Sequence, residues 1–173
     1  MKLKQKVDVV INSLLVIIGI VIVILSIFGF NNVGLVLVVT MGLYSILNLV
    51  QFILTREHKD YEGLYTSFAS AVVGGISYYF SSNGNHNLGI IVMAWVTIMA
   101  VIKFIKSDYY NDKRDKMWQM RIFSLLLFIV LGVITTLSLN YFVDSQVVIL
   151  GYFFFVHGIL ELFDPLTKYL MQG

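Results

Sequence analysis

The fold is decided by the stretch VVINSLLVIIGIVIVILSIFGF-NN-VGLVLVVTMGLYSILNLVQFIL, residues 9–54. Two apolar runs, Val9–Phe30 and Val33–Leu54, flank Asn31-Asn32, and neither run contains an acidic or basic residue. Each run is long enough to cross a bilayer as a helix, which takes roughly 20 apolar residues. Asn tolerates left-handed geometry and bonds to nearby backbone, so it favours a tight turn. The stretch therefore predicts a transmembrane hairpin, with helices at about Asp8–Phe30 and Val33–Leu54.

Two more pairs of apolar runs follow the first. They predict helices at about Leu64–Phe80, Leu88–Ile105, Ile122–Leu139 and Val147–Phe163. Proline disfavours helical geometry at the preceding residue, so Pro165 predicts that the last helix ends at Asp164. The predicted fold class is all-α: a polytopic membrane protein with six transmembrane helices as three tandem helical hairpins, at about 8–54, 64–105 and 122–163. We expect one transmembrane domain over residues 1–173, without a separate soluble domain.

The composition also indicates a membrane location. The 173 residues are 58% hydrophobic and only 13% charged, whereas soluble domains carry about 25% charged residues. The mean hydropathy is +0.86. Cysteine is absent, which excludes disulfides, thiolate catalysis, iron–sulfur clusters and Cys-ligated zinc.

The positive charges lie on one side of the predicted membrane. The turns inside the three hairpins contain no Lys or Arg, and all twelve such residues lie at or beyond the opposite helix ends: Lys2, Lys4, Lys6, Arg56, Lys59, Lys103, Lys106, Lys113, Arg114, Lys116, Arg121 and Lys168. Short cytoplasmic loops retain Lys and Arg. The pattern predicts a multi-pass protein of the cytoplasmic membrane with both termini in the cytoplasm. We expect no nucleic-acid partner, because that would require a contiguous basic face.

The predicted hairpins share a sequence pattern. The second helix of each contains the order small, aliphatic, aliphatic, polar, apolar, apolar, at Ser45–Val50, Ala100–Ile105 and Gly158–Phe163. The first helix of each contains a glycine followed by an aliphatic residue, at Gly19-Ile20, Gly75-Ile76 and Gly132-Val133. Tandem repeats in one orientation are related by an axis along the membrane normal. The pattern therefore predicts three hairpins around such an axis.

This pattern resembles the HdeD-like acid-resistance membrane protein family. The likeness covers about residues 9–163 and consists of a glycine-centred helix, a short outer turn and a helix that ends in small-Ile-Leu-polar. The resemblance implies a small bacterial inner-membrane protein with a structural or stress-related role. It implies no catalytic residues.

The polar residues of the repeat are Asn48, Lys103 and Glu161. They are predicted to lie at one depth near the cytoplasmic side, and a lipid-facing Glu would be unfavourable, so we expect them to point inward. Lys103 and Glu161 could then form an ion pair beside Asn48. Such a cluster could belong to an ion or proton path, or it could be a structural link between hairpins in which Lys103 extends to the cytoplasmic surface.

His157 completes this predicted intramembrane polar cluster, because it lies one helical turn before Glu161 on the same face. It could relay protons, since imidazole titrates near neutral pH. It could also be a core histidine bonded to a neighbouring hydroxyl or to Glu161. We expect no metal site, because His58 is predicted on the cytoplasmic side of the membrane and His86 on the outer side. Neither side chain could bind a metal ion together with His157.

The third helix contains Ser67, Ala71 and Gly75, small residues spaced by four. Small residues let membrane helices approach closely. The spacing predicts a packing face, used either inside the monomer or in a dimer.

No catalytic motif is present in the sequence. There is no phosphate-binding glycine loop, no HExxH and no G-x-S-x-G. The sequence therefore predicts a non-enzymatic protein without cofactor, with a structural, stress-related or assembly role. Its expected partners are the lipid bilayer and either a second copy or another membrane protein. A small oligomeric ion or proton channel or transporter is the alternative. The only proline, Pro165, lies outside the predicted membrane core, so no proline interrupts a predicted helix within that core, whereas such interruptions are common in transporters.

Overall fold

The computed structural model describes residues 3–55, 61–82, 88–112 and 118–170. They form six α-helices: α1 (Leu3–Ile27), α2 (Val33–Thr55), α3 (Glu62–Ser82), α4 (Leu88–Asp112), α5 (Trp118–Tyr141) and α6 (Gln146–Leu170). A short 3-10 helix, Val143–Ser145, precedes α6. No strand occurs in these ranges, so the all-α prediction is confirmed.

Five of the helices are long and apolar enough to cross a membrane, namely α1, α2, α4, α5 and α6. The helix α3 has 21 residues, which is long enough, but its many Ser and Tyr residues make it less apolar. Large apolar side chains from all six helices are exposed on the outside of the isolated chain. A lipid environment would cover this surface, which is consistent with a membrane location.

The turn after α1 follows from two residues. The backbone of Gly29 has a φ of +83°, a left-handed conformation that glycine adopts without steric strain. The side-chain oxygen of Asn32 then accepts a 3.0 Å hydrogen bond from the backbone N–H of Leu35 and caps α2. The predicted turn is therefore present, although α1 ends at Ile27 rather than at Phe30.

The six helices form a closed ring in chain order. Each helix contacts the next one, and α1 packs against α6 along the most extensive interface. The α2–α3 and α4–α5 interfaces are also extensive, whereas α1–α2, α3–α4 and α5–α6 share smaller contacts. The most extensive interfaces thus join neighbouring predicted hairpins around the ring, and the smaller interfaces lie within each predicted hairpin.

Buried positions recur along α2, α4 and α6. Leu37, Val92 and Leu150 are fully buried, and they stand at equivalent places in the three copies of the sequence pattern. One turn further along, Met41, Val96 and Phe154 are also buried. These three helices therefore supply the centre of the bundle.

The helix α1 begins at Leu3 rather than at about Asp8, and two predicted C-terminal helix ends lie several residues too early. The helix α4 continues beyond Ile105 to Asp112, because no glycine or proline interrupts the polar residues that follow. The helix α6 continues through Pro165 to Leu170. Pro165 cannot bond to the carbonyl of Glu161, but the side chain of Asn12 on α1 donates to that carbonyl instead, at 3.0 Å.

Candidate functional site

A cavity of about 170 Å³ lies at the end of the bundle where α1, α3 and α5 begin and α2, α4 and α6 end. All six helices contribute to its wall. Asn48, Lys103 and Glu161, the three polar residues of the repeat, line this cavity together. The three equivalent positions on α2, α4 and α6 therefore line the same space, as expected for residues that point inward.

The expected ion pair between Lys103 and Glu161 is present and joins α4 to α6. The two side chains are only 13% and 22% exposed, so the pair is mostly shielded. Asn48 is placed differently from the expectation: its side-chain N–H donates a 2.7 Å hydrogen bond to the carbonyl of Tyr44 in its own helix. Asn48 thus lines the cavity without bonding to the ion pair.

Two further ion pairs in the cavity wall were not predicted. Lys106 on α4 bonds to Glu62 on α3. Arg121 on α5 bonds to both carboxylate oxygens of Asp164 on α6, from Nε at 3.1 Å and from Nη2 at 2.6 Å. The sequence did offer a signal for the second pair, since Arg121 directly precedes the predicted fifth helix and Asp164 directly follows the sixth. Both ends were assigned to the same side of the membrane.

His157 lies one turn deeper than Glu161 and is fully buried. Its Nε2 and the hydroxyl of Tyr44 are hydrogen-bonded at 3.3 Å. Its Nδ1 lies 3.7 Å from Oε1 of Glu161, and within the described ranges this nitrogen has no hydrogen bond. The contact with Tyr44 agrees with a core histidine bonded to a neighbouring hydroxyl, one of the two alternatives. The sequence pattern did not lead to a prediction for Tyr44. Tyr44 nevertheless precedes Asn48 by four residues, just as His157 precedes Glu161 by four residues.

Aromatic rings surround the imidazole of His157. The ring centroid of Phe128 lies 4.7 Å away, that of Trp95 5.6 Å and that of Phe153 6.1 Å. The indole N–H of Trp95 donates to the hydroxyl of Ser70 at 3.1 Å. This packing leaves His157 enclosed by apolar surface on the side away from the cavity.

Beyond His157 the centre of the bundle is filled. We call this region the apolar plug; it consists of buried side chains on α2, α4 and α6, namely Leu37, Met41, Val92, Trp95, Val96, Leu150, Phe153 and Phe154. The apolar plug lies within about the first three turns of α2, α4 and α6, whereas the cavity lies at the end of the bundle where these helices end. The polar lining therefore does not extend through the bundle.

The predicted packing residues of α3 are only partly in contact. Ser67 is buried and bonds to the hydroxyl of Ser45 on α2 at 3.1 Å. Ala71 and Gly75 are exposed, and a Cβ at Gly75 would have no neighbour within 4 Å. Gly74 packs instead, with a Cβ position 3.3 Å from that of Met41. A strict spacing of four drifts around a helix of 3.6 residues per turn, which carries Ala71 and Gly75 out of the α2–α3 interface.

Within the described ranges, no group of three or more His, Asp or Glu side chains could hold a metal ion. His58 and His86 lie outside those ranges. The chain matches no protein-family model, no curated protein and no solved structure.

Proposed function

We propose that this chain is a non-enzymatic integral protein of a bacterial cytoplasmic membrane, with a structural, stress-related or assembly role. It would cross the membrane six times and keep both termini in the cytoplasm. Five apolar helices and the exposed apolar outer surface support the membrane location. Tight packing against α2 supports a membrane position for α3 as well, because its buried face would not meet lipid.

We further propose that the six helices are three repeats of a helical hairpin around an axis along the membrane normal. Two observations support this arrangement. The extensive and the smaller helix interfaces alternate around the ring, and equivalent residues of α2, α4 and α6 are buried together. The resemblance to HdeD-like proteins rests on this same repeat and remains part of the proposal.

The apolar plug is the observation that carries the structural role. A channel needs a continuous polar or wettable path, whereas the eight buried apolar side chains of the plug occupy the centre of the bundle beyond His157. The cavity carboxylates support the same conclusion for catalysis. Glu62, Glu161 and Asp164 are each held by a cation, and Asp8 is held by an amide, so none is poised as a general base.

A channel or transporter is the second candidate, and the charged cavity is the observation that favours it. The cavity places Lys103 and Glu161 next to the buried His157. A transporter could open the apolar plug in another conformation and use this group as an ion or proton site.

Flux through purified protein in liposomes decides between the two. For the structural role we expect no proton or ion flux above that of empty liposomes, across roughly pH 5–8, where imidazole changes charge. A protonophore added at the end verifies that the vesicles hold a gradient. His157→Asn should then alter thermal stability and nothing else. A conductance that His157→Ala abolishes, in a protein that remains folded, would establish transport instead.

A further inference from the structure

We propose that the cavity is a binding site for a primary ammonium group, carried by a membrane lipid headgroup or by a free amine. The proposal goes beyond the structural role, because a non-conducting protein and a transporter could both bind such a group. It rests on three independent properties of the cavity: its charge, its hydroxyl groups and its apolar rim.

Among the described residues that line the cavity, carboxylates outnumber cations by one. Four acidic side chains line it, Asp8, Glu62, Glu161 and Asp164, against the three basic ones Lys103, Lys106 and Arg121. Three of the acids are in ion pairs. Asp8 accepts a 2.6 Å hydrogen bond from the side-chain amide of Gln51, and no cation contacts it among the residues that the structure describes. A partly buried carboxylate favours a nearby positive charge, which a bound cation would supply.

Two residues with hydroxyl groups and little exposed surface line the cavity wall. Thr66 on α3 is 2% exposed and Ser107 on α4 is 3% exposed, and both line the cavity. Neither bonds to any residue in the described parts of the chain. Other helical hydroxyls here do bond to the carbonyl four residues earlier, such as Thr55 to Gln51 and Ser77 to Val73. Because both residues line the cavity, their hydroxyl oxygens can accept a hydrogen bond from a donor bound there.

A primary ammonium matches both features. It would give Asp8 a positively charged partner, and its three N–H groups can donate to a carboxylate and to hydroxyl oxygens. A quaternary ammonium has the same charge but no N–H to donate. The cavity also has sufficient space, because one water needs only about 10–15 Å³ and the cavity measures about 170 Å³.

The rim of the cavity favours an amphipathic source for this group. Phe123 and Leu127 on α5 and Phe163 on α6 line the cavity and are also exposed on the outside of the bundle. An acyl chain could lie on these side chains while its headgroup enters the charged interior. A soluble amine would use only the interior, so the two sources predict different effects of the rim residues.

Retention of lipid by the full chain in detergent tests the proposal. Phosphatidylethanolamine and phosphatidylcholine with identical acyl chains differ in the N–H groups of the headgroup and not in charge. Native mass spectrometry should show retained phosphatidylethanolamine and at least roughly tenfold less phosphatidylcholine, as expected for loss of charge-assisted hydrogen bonds. Free ethylamine, tested by thermal shift, is the arm for a soluble source.

Site variants with matched controls complete the experiment. Asp8→Asn and Thr66→Val should each weaken retention of the ammonium ligand, with the carboxylate change having the larger effect. Asp144→Asn and Thr97→Val are the controls, because these exposed residues lie outside the cavity. Phe123→Ser should reduce binding of the lipid and leave binding of ethylamine unchanged.

Binding of either ammonium ligand that depends on Asp8 supports the proposal, and the arm that responds identifies the source. Equal retention of the two lipids together with no Asp8-dependent binding of ethylamine, no binding of either ligand, or full binding by a folded Asp8→Asn protein would each overturn it. These binding measurements do not depend on ion flux or on the orientation of the chain. A conducting protein would therefore refute the structural role without affecting the binding result. Failure to bind an ammonium group would likewise leave the structural role untouched.

Discussion

The side-chain amide of Asn12 on α1 donates a 3.0 Å hydrogen bond to the backbone carbonyl of Glu161 on α6. This carbonyl is the one that a residue at position 165 would normally bond to within the helix, and Pro165 has no N–H. Asn12 thereby satisfies an acceptor that would otherwise be left unbonded. The contact also joins α1 to α6, which form the most extensive helix interface of the bundle.

Asn12→Ala should destabilise the protein by about 1–3 kcal/mol, because it leaves a shielded carbonyl without a donor. In a Pro165→Ala background the loss should be smaller, since the restored backbone N–H can bond to the same carbonyl. Denaturant unfolding in detergent of the two single variants and the double variant measures this difference. Ser13→Ala, at the neighbouring position, is the control. Equal losses from Asn12→Ala in both backgrounds would contradict the role assigned to Pro165.

Removal of either member of the Lys103–Glu161 pair should strongly reduce the stability of the protein. Removing one member of a buried pair costs about 3–5 kcal/mol, because the other charge is left unpaired, and partial exposure here places the expected cost at the lower end. Glu161→Gln and Lys103→Met should each lower the thermal unfolding temperature in detergent. The double variant should recover part of the loss. Strictly additive losses would show that the two side chains do not interact.

The length of the apolar runs predicted the helices, and the repeated pattern predicted the central ion pair. In the predicted tandem hairpins equivalent residues lie at equal depth, so the pattern assigned Asn48, Lys103 and Glu161 to one centre. Their common place in the cavity wall agrees with that argument. The repeat could equally have identified Tyr44 as the counterpart of His157.

One other part of the site could not be predicted because it breaks the repeat. The bond from Asn12 to the carbonyl of Glu161 has no counterpart in the other hairpins, and it depends on a proline that occurs once. The pairing of Arg121 with Asp164 was missed, although the predicted hairpin 122–163 already placed these two helix ends next to each other. Of the predicted packing residues of α3, Ser67 lies in the α2–α3 interface, whereas Ala71 and Gly75 lie outside it because a spacing of four drifts around the helix.

Cysteine labelling should determine the orientation of the chain, and the absence of native cysteine makes it clean. Single cysteines at Asn32, Asn85 and Ser145 should react with a membrane-impermeant reagent from outside intact cells. Those at His58 and Asn111 should react only after permeabilisation, because the Lys and Arg residues assign their segments to the cytoplasm. Of these positions, Asn85 and His58 lie outside the described ranges. Labelling of the His58 position from outside would refute the six-span topology.

Replacement of glycine by alanine should destabilise the protein at Gly19 and should not destabilise it at Gly75. A Cβ at Gly19 would lie 2.4 Å from the backbone nitrogen of Phe155, so Gly19→Ala must push α1 away from α6. Such overpacking costs about 1–3 kcal/mol. A Cβ at Gly75 has nothing within 4 Å, and alanine in a helix interior is favoured over glycine by up to about 1 kcal/mol. Gly75→Ala should therefore be neutral or stabilising.

Thermal unfolding of the two alanine variants, in one detergent and at one protein concentration, measures this contrast. The chemical change is identical in both, so helix propensity cancels and the difference reports the α1–α6 contact alone. Gly74→Ala should lie between them, because its Cβ would be 3.3 Å from the Cβ of Met41, a distance that a small shift can relieve. If Gly75→Ala destabilised as much as Gly19→Ala, the exposed face of α3 would instead pack against a second copy or another membrane protein.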